Sequence, residues 1–184
     1  FIYYRPAETF STGSDYQDRL SSYFIEIDYQ PSHRIYLQGG IRYTKNTLNH
    51  EAVPQPRLQL KYILNEHLKI FMSAGRYAQP PISRELQSAV DHTTLKSQKS
   101  SLYSLGGQIR YDRLLLKCEA YFKNQFDLIS YELEDVKLSY SGWNDSRGIV
   151  YGLDTYLRFD QTEYLTHWLS VSWLNARENI KNDG

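Results

Sequence analysis

The side chains able to do chemistry are few, and their spacing is poor for it. His33, His50, His67, His92 and His167 are scattered with no interval of a metal-binding motif between them. Cys118 is the single cysteine, so no internal disulfide can form, and it reads as a small apolar residue on a strand. The run Glu-Leu-Glu-Asp offers Glu132, Glu134 and Asp135 as oxygen ligands for a hard cation, although a solvated acidic loop has the same composition. Asn144-Asp-Ser matches a glycosylation acceptor, a pattern common by chance. No nucleophile stands in a recognisable relation to a base. The expectation is a chain that is not an enzyme, with no catalytic residue, no metal site and no cofactor.

The elements that would carry these groups are more informative. The chain has 184 residues, and Lys+Arg and Asp+Glu both count 21, so no basic excess points to nucleic acid. Seventeen tyrosines stand out; Tyr is a strand former and suits a place where one end of the ring is wet. No apolar run approaches the length of a membrane-spanning helix, mean hydropathy is −0.59, and the opening FIYYRPAETF lacks the regions of a secretory signal. A transmembrane barrel is compatible with all of this, because its strands alternate and its loops are polar.

Alternation is what the sequence shows. DRLSSYFIEIDYQ sets Tyr23, Ile25, Ile27 and Tyr29 against Phe24, Glu26, Asp28 and Gln30. The same period runs through RIYLQGGIRYT, PRLQLKYIL, LKIFMSAGRYA, SLYSLGGQIRY, LLLKCEAYFKNQFD, GIVYGLDTYLRF and YLTHWLSVSWLNA, predicting eight full strands, with FIYYR as the end of a ninth. ISRELQSAV allows one or two helical turns. Turns near Pro31, Asn65, Asp112 and Gln161 are short; the connections at about 6–17, 45–56, 79–99 and 128–147 are long, so all long loops fall at one end.

Strands of about twelve residues tilted near 45° climb about 28 Å, close to a hydrocarbon thickness of about 30 Å. On the apolar face, Tyr29, Tyr62, Tyr111 and Phe159 mark the short-turn end. Tyr23, Tyr43, Tyr103, Phe122, Tyr151 and Trp173 mark the long-loop end, with aliphatic residues between. Two aromatic girdles around an aliphatic band suit a bilayer. The other face carries Arg42, Arg57, Gln59, Lys61, Lys69, Gln108, Arg110, Lys117, Glu119, Asp154 and Arg158, which must then look into a wet or protein-filled lumen. Lys117, Glu119 and Asp154 read as wall residues paired with neighbours.

Three stretches resemble TonB-dependent outer-membrane receptors. PRLQLKYILNEHLKIFMSAGRYAQPP is similar to the hairpin whose Pro-Arg strand descends and returns as Gly-Arg-Tyr ending in paired prolines. LLLKCEAYFKNQFDLISYE resembles the later strand ending in Asp-Leu-Ile, and SRGIVYGLDTYLRF the Gly-x-x-x-Gly-Leu-Glu strand, with Asp154 in place of Glu. The resemblance implies an all-β fold: part of a large antiparallel transmembrane β-barrel, about 8–9 of about 22 strands. Extracellular loops would be long and periplasmic turns short. Residues 1–184 would form part of the C-terminal barrel domain, with the plug, TonB box and last strands outside this chain.

It also implies location in the outer membrane of a Gram-negative bacterium and energised uptake of a scarce nutrient such as a siderophore, haem, cobalamin or an oligosaccharide. The implied partners are TonB–ExbB–ExbD acting through a plug, outer-membrane lipid and the nutrient, with no nucleic acid. A passive porin-like channel and a soluble β-rich binding or adhesion domain are the alternatives. Ligand contacts are expected from Arg76, Tyr77, Arg84, Lys96, Tyr131, Tyr140 and Trp143, because Arg and aromatic rings at a wet mouth suit anionic, aromatic or sugar ligands. The same residues would also suit loop packing alone.

Overall fold

The computed structural model describes residues 9–11, 17–88, 94–134 and 137–179. The FIYYR segment, His92 and Asp135 lie outside the described residues. Eight long antiparallel strands form the wall: β2 (Gln17–Ser32), β3 (Ile35–Asn46), β4 (Ala52–Ile63), β5 (Leu68–Gln79), β6 (Gln98–Tyr111), β7 (Leu114–Leu128), β10 (Ser146–Asp160) and β11 (Thr166–Asn179). The short β1 (Thr9–Ser11) extends the sheet beside β2, and the order follows the sequence throughout, with β10 next to β7. A separate hairpin, β8 (Tyr131–Glu134) with β9 (Lys137–Tyr140), and one short helix, α1 (Ser83–Ser88), occupy the long connections. Among the described residues the sheet does not close on itself.

Short turns lie at one end, each with local chemistry for reversing the chain. Asn65 Oδ1 accepts from the His67 and Leu68 N–H groups at 2.9 and 2.8 Å, a side-chain mimic of a backbone turn. Asp112 takes the left-handed conformation (φ 46°) that a two-residue hairpin requires.

The aliphatic face is bare. Ile27 is 64% exposed, Leu105 54%, Leu153 41% and Leu169 58%, and among the described residues no second layer lies over them. An apolar face of this size left open to water would be strongly unfavourable, and the fold is explained if lipid covers it. The expected aromatic positions all fall on this side.

Their register also gives the strand tilt. The row of cross-strand partners through Tyr29 crosses β4 at Leu60 and β6 at Leu105. Tyr62 and Tyr111 lie two and six residues further toward the short turns than that row. Six residues are about 20 Å along a strand, and the four-strand step from β2 to β6 is about 19 Å across the sheet. A level ring therefore needs strands tilted by about 45°, within the range of membrane barrels.

Two expectations about the loops are corrected. The stretch 45–56 is mostly strand, since β4 begins at Ala52 and pairs with β3 through Ala52↔Lys45, Pro54↔Tyr43 and Pro56↔Ile41. Pro54 and Pro56 have no N–H to give, and the β4–β5 ladder begins only at Arg57↔Gly75. The stretch 128–147 is likewise not a plain loop, because it contains the β8–β9 hairpin.

Candidate functional site

On the inward face the middle of the wall is cationic. Across β3 to β7 the charged positions are Arg42, Arg57, Lys61, Lys69, Arg110, Lys117 and Lys123, against Glu119 and, at the loop end of β7, Asp127, which is paired with Lys99. The flanking strands offset most of this with Glu26, Asp28, Asp154, Asp160 and Glu178 against Arg158, and Glu26 accepts from Gln38 Nε2 at 3.1 Å. Two of the cations lie over rings, with Arg57 Cζ 4.7 Å from the Tyr77 centroid and Lys61 Nζ 4.1 Å from that of Tyr36. Each ring draws its cation over its face and leaves the N–H groups available to a guest. A concavity of about 860 Å³ runs down this face, lined by Tyr36, Gln38, Gln59, Lys61, Lys117 and Glu119. A second of about 400 Å³ lies nearer the loops, between Tyr77, Gln98, Lys123 and Gln125.

Glycines shape this face. Phe71 lies directly opposite Gly106 and Tyr121 opposite Gly152, each ring covering the bare backbone where a side chain would otherwise stand. Near the loops a polar row crosses four strands: Ser22 and Thr44 hydroxyls at 3.2 Å, then Gln55 donating to Thr44 at 3.1 Å and accepting from the Ala78 N–H at 3.2 Å. Gln55 is buried, and its amide replaces the ladder bonds that Pro54 and Pro56 cannot make.

Above the wall the long loops condense into a cap with a small core of its own. Leu86, Leu95 and Ile129 are buried together, with Leu48 and Tyr140 packed against them. α1 starts where Glu85 reaches back to accept from the Ile82 N–H at 2.7 Å, half of a capping box, while its other oxygen accepts from Gln98 at 2.9 Å. Asn144 exchanges two hydrogen bonds with the Lys96 backbone, at 2.8 and 3.0 Å, and donates to the Asp127 carbonyl at 2.7 Å.

The cap's strongest link is ionic. Lys99 Nζ lies 2.9 Å from both Glu51 and Asp127, tying the β3–β4 connection to β6 and the end of β7. Burial works to raise the Glu51 pKa, but hydrogen bonds from Ser97, whose N–H is 2.6 Å away, and the Lys99 ammonium outweigh it and hold it below the ordinary 4.5. Burial works to lower that of Lys99, and the bonds to Asp127 and Glu51 outweigh it and raise it above 10.5.

The residues expected to handle ligand are dispersed. Tyr77 is on the inward wall under Arg57. Arg84 is exposed on α1, which packs on β9. Lys96 joins the Asn144 stitch through its backbone, leaving its side chain exposed. Tyr131 and Tyr140 face each other across the hairpin, Tyr140 toward the cap core, and Trp143 is 60% exposed just beyond. Arg76 is brought to a different place: it shares the parity of Met72 and Ala74 and lies exposed on the aliphatic side. Sequence reasoning missed Gln55, Glu51, Lys99 and the cap core. The one available signal for the core was the isolated apolar residues Leu48, Leu86, Leu95 and Ile129 in otherwise polar stretches. Among the described residues no group of His, Cys, Asp and Glu could hold a metal ion.

A family model described as TonB dependent receptor-like, beta-barrel, matches residues 2–184. The siderophore receptor PirA from Pseudomonas aeruginosa superposes with a TM-score of 0.74 at 16% identity, over 88% of this chain and 32% of that one. The ferric enterobactin receptor PfeA, also from Pseudomonas aeruginosa, gives 0.75 at 17%, over 90% and 28%. The FrpB iron transporter from Neisseria meningitidis gives 0.71 at 16%, over 88% and 26%. The chain thus spans a third or less of these solved structures. No curated protein sequence matches it.

Proposed function

The chain belongs to the TonB-dependent receptor β-barrel family, whose members are bacterial outer-membrane proteins and not enzymes, and from that premise we propose what this wall does. Residues 1–184 form part of the C-terminal barrel domain of an energised importer. Further strands complete the barrel, a plug fills it, and TonB–ExbB–ExbD drives the plug. The long-loop end, with its cap, faces the outside and the short turns face the periplasm.

The cargo we propose is an anionic iron chelate of the siderophore class. The observation that carries this is the excess of cations on the inward face of the middle strands, β3 to β7, from Arg42 to Lys123, two of them over rings. Such a surface attracts a negatively charged chelate or an acidic plug edge and gives no advantage to a neutral oligosaccharide. PirA, PfeA and FrpB, whose names record siderophore, ferric enterobactin and iron, support the same class. Tyr77, with Arg57 over it, lies on this path. Arg84, Lys96, Tyr131, Tyr140 and Trp143 belong to the cap through which the cargo passes, and Arg76 lies off the path.

The test is uptake of radiolabelled ferric chelates of graded charge by cells that carry the full-length protein as their only receptor. Uptake should favour anionic chelates, stop on addition of a protonophore, and fall when Arg57 and Lys61 are both replaced by Gln. Uptake indifferent to the protonophore would identify a passive channel, and indifference to charge would remove the cargo assignment.

A further inference from the structure

We propose that the cargo passes along the arc of wall formed by β3 to β7, moving from cation to cation, and that the flanking strands take no part in its passage. This rests on the anionic-chelate reading of the cargo and adds its route. The observation is that inward charge is sorted by strand. The cations stand on β3 to β7, while the acids gather beside them: Glu26 and Asp28 on β2, Asp154 and Asp160 on β10, and Glu178 on β11.

The cations also form steps. Lys61 and Arg110 each directly precede a tyrosine of the short-turn girdle, Tyr62 and Tyr111. Lys69 and Lys117 pair with Gln108 from its two sides. Arg57 lies four residues above Lys61, and Arg42 pairs with Gln55, two residues beyond Arg57. Lys123 lies six residues above Lys117. On strands tilted by about 45°, these positions fall on four levels about 4–10 Å apart, over a climb of about 20 Å. Lys61, Lys69 and Arg110 share the lowest level and Lys117 holds the next. Arg57 and Arg42 come above it, and Lys123 is highest.

Such steps match the screening length of about 8 Å at physiological salt, so an anion held at one level already feels the next. Several weak sites in series let a guest enter without trapping it. Both concavities mark the same lane: the larger is lined by Lys61 and Lys117, and the smaller by Lys123. Its border on the β10 side is set by two carboxylates, Glu119 and Asp154, directly opposite each other across β7 and β10. Side by side they repel a guest of their own sign.

The experiment uses cells whose only receptor is the full-length protein, with radiolabelled ferric tris-catecholate and ferric citrate as anionic probes and a ferric tris-hydroxamate as the neutral one. Binding is read after a protonophore, and uptake at saturation without it. Lys69→Gln with Lys117→Gln removes two low steps. Binding of the anionic probes should hold to within about twofold, because both lysines lie well below the mouth. Their uptake should fall by on the order of twentyfold, at about fivefold per cation. Lys69→Arg with Lys117→Arg keeps both charges and should restore it, and Asp28→Asn with Asp154→Asn on the flanks should leave it unchanged. Surface labelling checks the amount of each variant. Should the glutamine pair fail to reach the surface, Gln108→Glu decides, since it sets an acid between Lys69 and Lys117 and should slow uptake in the same way. Undiminished uptake, a loss that arginine does not restore, a matching loss of binding, or equal slowing by the flank variant would each overturn the lane. A wild type without preference for the anionic probes would remove instead the cargo assignment beneath it.

Discussion

Replacing Lys99 by Met removes the ammonium but keeps most of the stem, so packing changes little and charge changes fully. Glu51, 15% exposed, then keeps only its Ser97 donors, and Asp127, 39% exposed, loses its cation. Surface pairs contribute about 0.2–1 kcal/mol, and breaking a fully buried pair costs about 3–5 kcal/mol. With partners exposed between 15% and 39%, water compensates in part, and a cost of about 1–3 kcal/mol follows.

That cost should fall on the cap rather than the wall. Hydrogen exchange of the full-length protein in detergent should accelerate about 5- to 150-fold in segments 47–51 and 94–99, while the middle of β5 and β6 stays slow. The pH response adds a sign. In the wild type Glu51 has its pKa depressed, so its contribution is present above 4.5 and is lost as pH falls through its lower folded value. Lys99, raised above 10.5, contributes below that value and loses its effect as pH rises through its higher folded value. The cap should therefore loosen in acid. In Lys99→Met only the two Ser97 bonds oppose burial at Glu51, so its pKa lies closer to 4.5 or above it and mild acid should loosen the cap less. Unchanged exchange in both segments, or the same acid response in the variant, would refute the reasoning.

Two other substitutions probe the wall. Leu105→Arg places a guanidinium midway between the girdles on the bare face and should cost about 2–4 kcal/mol, whereas Gln108→Arg, on the inward concavity, should stay within about 0.5 kcal/mol; urea unfolding in lipid vesicles reads both, and equal costs would sink the assignment of faces. Gly106→Ala puts a methyl into the Phe71 ring and 2.9 Å from the Cys118 carbonyl oxygen. A loss of about 1–3 kcal/mol is expected by the same unfolding assay, partly recovered when Phe71→Leu is added.

The wall was legible because lipid on one side and polar lumen on the other enforce an unbroken period of two. A single slip would bury Lys61 in hydrocarbon and turn Leu60 to water. The turns were legible through Asn65 and Asp112, whose side chains act on their own neighbourhood. The start of β4 was hidden because Pro54 and Pro56 read as loop punctuation; they are tolerated where the strand is paired on one side only. The cap was illegible for a different reason. Asn49 bonds to Leu95, Glu51 to Ser97 and Lys96 to Asn144, all pairs more than forty residues apart, and no local pattern announces such partners. The outward place of Arg76 was legible, since counting from Ala74 already puts it on the aliphatic side.

The prolines of β4 leave a seam. β4 and β5 share seven paired positions, from Arg57↔Gly75 to Ile63↔Lys69, where β3 and β4 share eleven and β5 and β6 twelve. Among the described residues, these two neighbours are joined above Arg57 through one glutamine amide. When the rim is strained, by a guest entering or by the loops swinging apart, the staves should part at this slit first, and its lowest extent is fixed where the ladder resumes. A barrel with a preset place to yield can flex at its mouth without losing its seal in the bilayer.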